Sequence, residues 1–399
     1  MSQTQPTVLI LASYQKGHDF IDECKKQGCR VFLLTLEALR HRDWPYEKID
    51  ETFYMKSFDD RKDLIHGVSY LARSRKIDRI VPLDDYDVEV AATLREHLRI
   101  PGMGDTTARF FRDKLAMRTQ AKDENIAVPE FVPVLNYDEI REFMERVPGP
   151  WMLKPRSEAA AVGIRKIHLA DDLWPALAEL GDRQSFFVLE QFVGGNVYHV
   201  DAITYEKEIL LAETHKYHKP PFDVAHHGGL FVTSTLERDS EESKGLLKIH
   251  ADVMKALRFV RGVTHSEFIR SKEGKFYFLE TSARVGGAHI NEEVEAATGV
   301  NMWREWAKIE IAGSKGKYAL PAHRSEYAGI ILSLAKQEVP DTSGYRDSEI
   351  VYRIPMKHHA GFVVRSKELK RVHQLLEDYQ KRFYTDFYAS APPLDRPAV

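Results

Sequence analysis

The stretch "FLETSARVGGAHI", residues 278–290, ends an aromatic, strand-like run on a carboxylate, Glu280, with Arg284, a glycine pair and His289 close behind. Just upstream, "GVTHSEFIR" and "KFYFLE" flank "SKEG". If Glu273 and Gly274 form a two-residue hairpin loop, Lys272 opposes Lys275 and, counting back along both strands, Glu267 opposes Glu280. Strand alternation places Val263, His265, Glu267 and Ile269 on one face, and Phe276, Phe278 and Glu280 on one face of the partner. Opposed side chains stand about 4.5–5.5 Å apart, and like charges there repel. A divalent cation would offset the repulsion. Hard oxygen donors on a rigid hairpin suit Mg²⁺, with Mn²⁺ as an alternative ion and phosphate oxygens completing the shell. The competing reading is a pair of acids on a solvated face, against which the flanking aromatics and Arg284 weigh. A three-residue loop would instead set the pair diagonally.

Two carboxylates of that kind predict phosphates nearby, and hence cations and backbone donors. Lys154 follows the apolar "WML" and precedes "PRSEAAAVGI", a small-residue loop containing Gly163 whose backbone can approach a polyphosphate closely. A lysine snorkelling at a strand end is the competing reading. Lys114, in "RDKLAM", says little alone. In "FFVLEQFVGGNVYHVDAI" an apolar strand runs into Glu190, Gln191, Phe192 and Val193 and breaks at Gly194-Gly195. Such a break frees backbone groups that can read an adenine edge, or it is an ordinary hairpin turn.

These residues need elements to hold them. The run 8–12, a helical face made by Phe20, Ile21 and Cys24, and the run 31–34 form a β-α-β unit, followed by a strand at 77–83 and a helix marked by Val88, Ala91, Leu94 and Leu98. Residues 1–110 are therefore expected to be a parallel-sheet α/β domain, closed by the break "IPGMGDT". A smaller mixed unit is expected over 111–189. Residues 190–318 form a larger unit carrying the metal and substrate residues, with a helix over 290–298 capped by Gly299. Residues 319–399 are expected to be strand-rich with one late helix and a loose tail, "SAPPLDRPAV".

Composition narrows the function classes. Lys and Arg number 57 against 60 Asp and Glu, a net charge of −3, which argues against nucleic acid or an anionic membrane held by bulk charge. Two cysteines, Cys24 and Cys29, fit neither a CxxC redox pair nor a zinc knuckle, so a reducing cytoplasm is the expected setting. No stretch approaches a membrane span, and the N-terminal apolar run is too short for a signal sequence.

In this order, an N-terminal α/β domain, "DK", "LKPR…AAAVGI", "LEQFVGG…VYHVD", "HSEF" and "FLETSARVGG" resemble the ATP-grasp superfamily, and within it carboxylate–amine ligases such as the L-amino-acid ligases. The resemblance covers roughly residues 5–312. It implies an α/β and α+β architecture: a parallel-sheet pre-ATP-grasp domain and two α+β subdomains holding ATP between them. It also implies that Lys114 and Lys154 bind phosphate, that the loop after Lys154 covers the nucleotide, and that residues 190–193 read adenine. Glu267 and Glu280 would be the magnesium ligands, and Arg284, Gly286 and Gly287 would hold a substrate carboxylate or its phosphate. The implied activity is ATP-dependent amide formation through an acyl phosphate, with release of ADP and phosphate. A kinase, a carboxylase and a non-catalytic nucleotide binder are the alternatives. The expected partners are a small-molecule carboxylate and amine, with a monomer and a homodimer both open.

Two departures stand out. The family usually has asparagine two residues after the second glutamate, where this chain has Ser282, a weaker ligand. The acidic residue often found after the hinge is replaced by Asn196-Val197, which leaves the ribose contact unassigned. A second lid is expected in "HKYHKPPFDVAHHGGLF", residues 215–231. Its histidines, His227 among them, face substrate in one reading and bind zinc in another, while His289 and His265 are either pocket or packing residues.

Overall fold

The computed structural model describes residues 5–159, 161–314 and 316–390. Ala160, in the loop after Lys154, and the tail from 391 lie outside the described residues. Three sheets organise the chain. Strands β1 (Thr7–Ala12), β2 (Arg30–Leu36), β3 (Glu51–Met55) and β4 (Arg79–Pro82) form a parallel sheet in the order β3-β2-β1-β4. Every residue of β1 is buried, as a central parallel strand covered on both faces requires.

A four-stranded antiparallel sheet follows, built from β5 (Phe131–Pro133), β6 (Trp151–Pro155), β7 (Arg165–Ile167) and β8 (Phe187–Gln191) in the order β5-β8-β6-β7. The third sheet has eight strands. They are β9 (Gly195–Tyr205), β10 (Glu208–Tyr217), β11 (Phe231–Thr235), β12 (Gly262–Ser271), β13 (Phe276–Ser282), β14 (Tyr327–Leu334), β15 (Ile350–Arg353) and β16 (His359–Ser366), in the order β13-β12-β9-β10-β11-β14-β16-β15. The last three strands thus extend the sheet that carries the predicted metal ligands.

One apolar cluster joins the first sheet to the third, combining Val8, Ile10 and Phe20 with Ile203, Val263, Trp306 and Ile330. Phe20, on the helix His18–Lys26, meets Trp306, on the helix Met302–Ala312, edge-on at 5.4 Å. Burying a side chain the size of Phe20 contributes about 2–3 kcal/mol, so this seam fixes the two sheets against each other. The small sheet has its own core around Leu153, Phe143 and Leu189.

The β12–β13 hairpin departs from expectation in a way that rescues the predicted pair. Its loop has three residues, 272–274: the Ser271 amide donates to the Lys275 carbonyl, the Gly274 amide donates to the Ser271 carbonyl, and Gly274 has φ 87°. That turn pairs Arg270 with Phe276 and Phe268 with Phe278, a register that would oppose Glu267 to Leu279. A β-bulge inserts Leu279 as an extra residue, and Glu267 ends opposite Glu280. The fully buried Arg118 donates to the carbonyl of Leu279, and the amide of Phe278 donates to the carbonyl of Ala127 at 2.8 Å. The bulge is therefore anchored from outside the sheet.

Candidate active site

A cleft of about 790 Å³ opens where the three sheets meet. Its wall includes Lys114, Lys154, residues 190–193, Glu267, Glu280, Ser282, Arg284 and Gly287, so one cavity gathers most of the residues singled out in the sequence.

Lys114 begins the helix Lys114–Asp123, whose N-cap Asp113 accepts from the amides of Leu115 and Ala116. From that fixed start its ammonium reaches Glu280 Oε2 at 2.7 Å and the Glu158 carbonyl at 2.7 Å. Lys154, on β6, lies 2.7 Å from Glu190 Oε2, and the other oxygen of Glu190 lies 2.9 Å from Arg118 Nε. Glu190 is fully buried. Burial opposes its charge, but Arg118 and Lys154 outweigh that and hold its carboxyl at about 2. Only the backbone at this position can face a nucleotide, because the side chain is committed to the two cations. Replacing Glu190 with Gln leaves Arg118 buried beside a neutral partner, so Glu190→Gln is expected to cost about 3 kcal/mol of stability, read as a lower urea midpoint.

Arg284 follows β13 and brings both Nε, at 2.8 Å, and Nη2 to one oxygen of Asp85, Oδ2, while Nη1 donates to its neighbour's carbonyl on Val285. Asp85 sits in the 3₁₀ turn Asp85–Asp87 just beyond β4. Burial works against its charge, and Arg284 and Arg112, with Ser282, more than reverse that, so its carboxyl is held well below the usual range.

The loop after β6 is pinned over the cleft. Tyr86 Oη donates to Glu158 Oε2 at 2.8 Å, Arg112 donates to the Ser157 carbonyl, and Arg156 forks onto Asp113. A second flap is the short helix Pro221–His227, which turns Phe222, Asp223 and Val224 to the cleft.

Other predicted residues stand apart. Gly163 is flanked by wall residues Val162 and Ile164 without lining the cleft. Gly286 packs against the network beneath it, where a Cβ would meet Asp201 Oδ1 at 3.0 Å. His289 precedes the helix Ile290–Thr298 without a side-chain capping bond, and its Nδ1 lies 3.4 Å from Glu292. His227 is mostly exposed and lies 3.7 Å from Asp223.

Beneath Glu267 lies a buried polar network. Asp201 accepts from His265 Nδ1 at 2.9 Å and His199 Nδ1 at 2.6 Å, and Tyr217 Oη donates to Glu267 Oε1 at 2.9 Å. Burial opposes a charge on His265, but Asp201, with Glu267, raises it to about 9. A histidine raised above its unfolded value near 6.5 stabilises the fold fully below that pH, and the contribution is lost as pH rises through about 9. His265→Gln should therefore cost most at pH 6 and progressively less toward pH 9.5, as urea unfolding in EDTA at each pH would show.

Several of these residues escaped the sequence reading. Asp85 and Tyr86 belong to "LDDYD" at the carboxyl end of a parallel strand, the edge where open α/β sheets bind ligands. Arg118 follows Lys114 by one helical turn on the same face. His199 and Asp201 alternate along "VYHVDAI" as His265 and Glu267 do along "THSEF".

No family model matches the chain. An L-arginine-specific L-amino acid ligase of Bacillus subtilis is 28% identical over 284 residues, 66% of this chain and 68% of that protein. A D-alanine–D-alanine ligase of Burkholderia multivorans is 24% identical over 200 residues, 47% of this chain and 62% of its own. The solved structure of an L-amino acid ligase from Bacillus licheniformis superposes with a TM-score of 0.75 at 16% identity, covering 98% of this chain and 100% of that one. The fold is ATP-grasp. Within that class, the relatives support an ATP-dependent enzyme that forms C–N bonds, a ligase rather than a kinase, a carboxylase or a non-catalytic binder.

Among the described residues no helix is long and apolar enough to cross a membrane.

Proposed function

We propose that this protein joins a carboxylate to an amine by way of an acyl phosphate, with amino acids as the substrate class, and that it acts in the cytoplasm. The observation that carries this reading is the convergence of Lys114, Lys154, Glu267, Glu280 and Arg284 on one cleft. Lys114 and Lys154 bind the phosphates of ATP, the loop bearing Gly163 covers them, and the backbone of residues 190–193 meets adenine. Glu267 and Glu280 suit a hard divalent cation: two carboxylates in direct cross-strand register on the cleft floor, with the Ser282 hydroxyl as a weaker third donor. Bound there, Mg²⁺ or Mn²⁺ supplies charge neutralisation to the transferring phosphoryl group.

Arg284, with Gly287 beside it on the cleft wall, holds the substrate carboxylate, for which its planar guanidinium is suited. The carboxylate oxygen attacks the γ-phosphorus, and the bond to ADP breaks. The amine then attacks the acyl carbon, the C–N bond forms, phosphate leaves and the amine gives up a proton. The pinned loop, with Tyr86 on Glu158, excludes water that would hydrolyse the acyl phosphate. Chain relatives that are amino-acid ligases support amino acids as substrates.

The test is phosphate and nucleotide release from Mg-ATP across L-amino acids, including arginine, and D-alanine, singly and in pairs, with mass spectrometry of products. ADP and phosphate dependent on a pair, with a product at the summed mass less water, is expected. AMP and pyrophosphate would overturn the acyl-phosphate route, and a stable phosphorylated product would show a kinase.

A further inference from the structure

The eight-stranded sheet carries a polar stripe where a central sheet would ordinarily be apolar. Cross-strand partners Glu280, Glu267, His199, His215 and Thr235 follow one another over five strands, and Ser282, His265, Asp201 and Glu213 form the adjoining row. His199, Asp201 and His215 are fully buried. Burying such groups costs free energy that well-made hydrogen bonds only offset, so an apolar stripe would serve the fold better. His199, Asp201 and His265 have ligand atoms within 4.8 Å of one another. The Nδ1 atoms of His199 and His265 are already hydrogen-bonded to the Asp201 carboxylate, so the trio is a bonded network and not a second metal centre.

The direction of the bonds shows what the network serves. Tyr217 Oη lies 2.9 Å from Glu267 Oε1, and His265 Nε2 lies 3.7 Å from the same oxygen. His265 is held from behind by Asp201 Oδ1, whose partner oxygen is held by His199, itself 2.7 Å from Thr233 Oγ1. Both groups address one oxygen of Glu267. We propose that Tyr217 and the Asp201–His265 pair are positioning residues that fix Glu267 Oε1 and so present Oε2 to the metal. This inference rests on the proposed reading of Glu267 as a ligand. The same network explains Gly286: any side chain there would press on Asp201 Oδ1 and on Ile290 Cγ2 at 2.9 Å, which couples the glycine loop after Arg284 to the orientation of the metal carboxylate.

Groups that orient a ligating residue typically change metal affinity about 10–100-fold when removed. The experiment titrates Mn²⁺ by electron paramagnetic resonance into the full-length protein saturated with a non-hydrolysable ATP analogue, comparing wild type, Tyr217→Phe, His265→Gln and Glu267→Gln. Unfolding midpoints report whether each variant is folded. Tyr217→Phe keeps the ring and loses only the hydroxyl; should it not fold, His265→Gln decides. The expected result is about tenfold weaker Mn²⁺ binding and an altered Mn²⁺ line shape in the folded positioning variants, with binding lost in Glu267→Gln. Mn²⁺ affinity within twofold of wild type in the positioning variants, with loss in Glu267→Gln, overturns the inference and leaves the ligand reading standing. Wild-type affinity in Glu267→Gln overturns the ligand reading and the inference with it.

Discussion

Glu280→Gln is expected to lower ADP release from Mg-ATP by about 10³-fold while the protein stays folded. The substitution keeps the size of the side chain and an oxygen for Lys114, which lies 2.7 Å away, and removes the negative charge alone. On the proposed reading that charge is half of what the two carboxylates bring to the nucleotide's metal, and charge stabilisation of this kind is worth several kcal/mol at a transferring phosphoryl group. About 4 kcal/mol is a thousandfold in rate. The fold should tolerate it, because Glu280 is about one-third exposed and loss of its ion pair with Lys114 costs about 1 kcal/mol. The position of Glu280 is set by the bulge at Leu279 and by Arg118, neither of which depends on its charge, and relief of repulsion from Glu267 favours the variant by less than about 1 kcal/mol. Phosphate release and a urea midpoint, measured on the same preparation, check both halves. Full turnover at ordinary Mg²⁺ would remove Glu280 from the metal site.

The hairpin illustrates how far the sequence can be read. The position of the turn brought Glu267 opposite Glu280 correctly, yet by a two-residue loop the molecule does not use, and the alternation that put Phe278 and Glu280 on one face fails at the bulge. Loop length and bulge are two shifts of one residue that cancel, and strand periodicity cannot see either, because each depends on what the turn and the bulged carbonyl contact elsewhere. The Leu279 carbonyl is met by Arg118, some 160 positions away along the chain, and no local pattern announces that meeting. Lys154 was legible as the end of an apolar strand and Lys114 only through the resemblance, and both line the cleft. Their partners were less so. Glu190 reads as a hinge residue in the sequence, but its side chain turns inward between Arg118 and Lys154. Charges that balance one another across sheets leave no periodic trace, and that is why the Asp85–Arg284 pair emerges only from the three-dimensional structure; the stripe beneath Glu267 shows as an alternation within each strand, but its cross-strand partners do not.

Arg284→Lys is expected to lower kcat/KM for the carboxylate substrate by about 10³-fold and to change the KM for ATP by less than about threefold. A guanidinium has five N–H donors in a fixed plane. Nε and Nη2 are committed to Asp85 and Nη1 gives one bond to the Val285 carbonyl, so two N–H groups remain, one on each terminal nitrogen. On the proposed reading Asp85 does more than neutralise the charge: it would set the plane of the guanidinium before substrate arrives and so lower the entropic cost of binding. Lysine keeps the charge but cannot bring two N–H groups to Asp85 Oδ2 and still offer two coplanar donors to a carboxylate. The two roles separate kinetically. If Arg284 grips the carboxylate equally before and during phosphoryl transfer, the loss appears in KM; if its grip tightens as charge develops, the loss appears in kcat. Asp85→Asn tests the source of the geometry, since it leaves the arginine in place and loosens its anchor; a fall of about tenfold in kcat/KM for the carboxylate, with the same division between KM and kcat, is expected. Arg284→Lys with wild-type kcat/KM for every carboxylate tried would mean that the substrate is held elsewhere, and that the Asp85–Arg284 pair serves only to join the first sheet to the third.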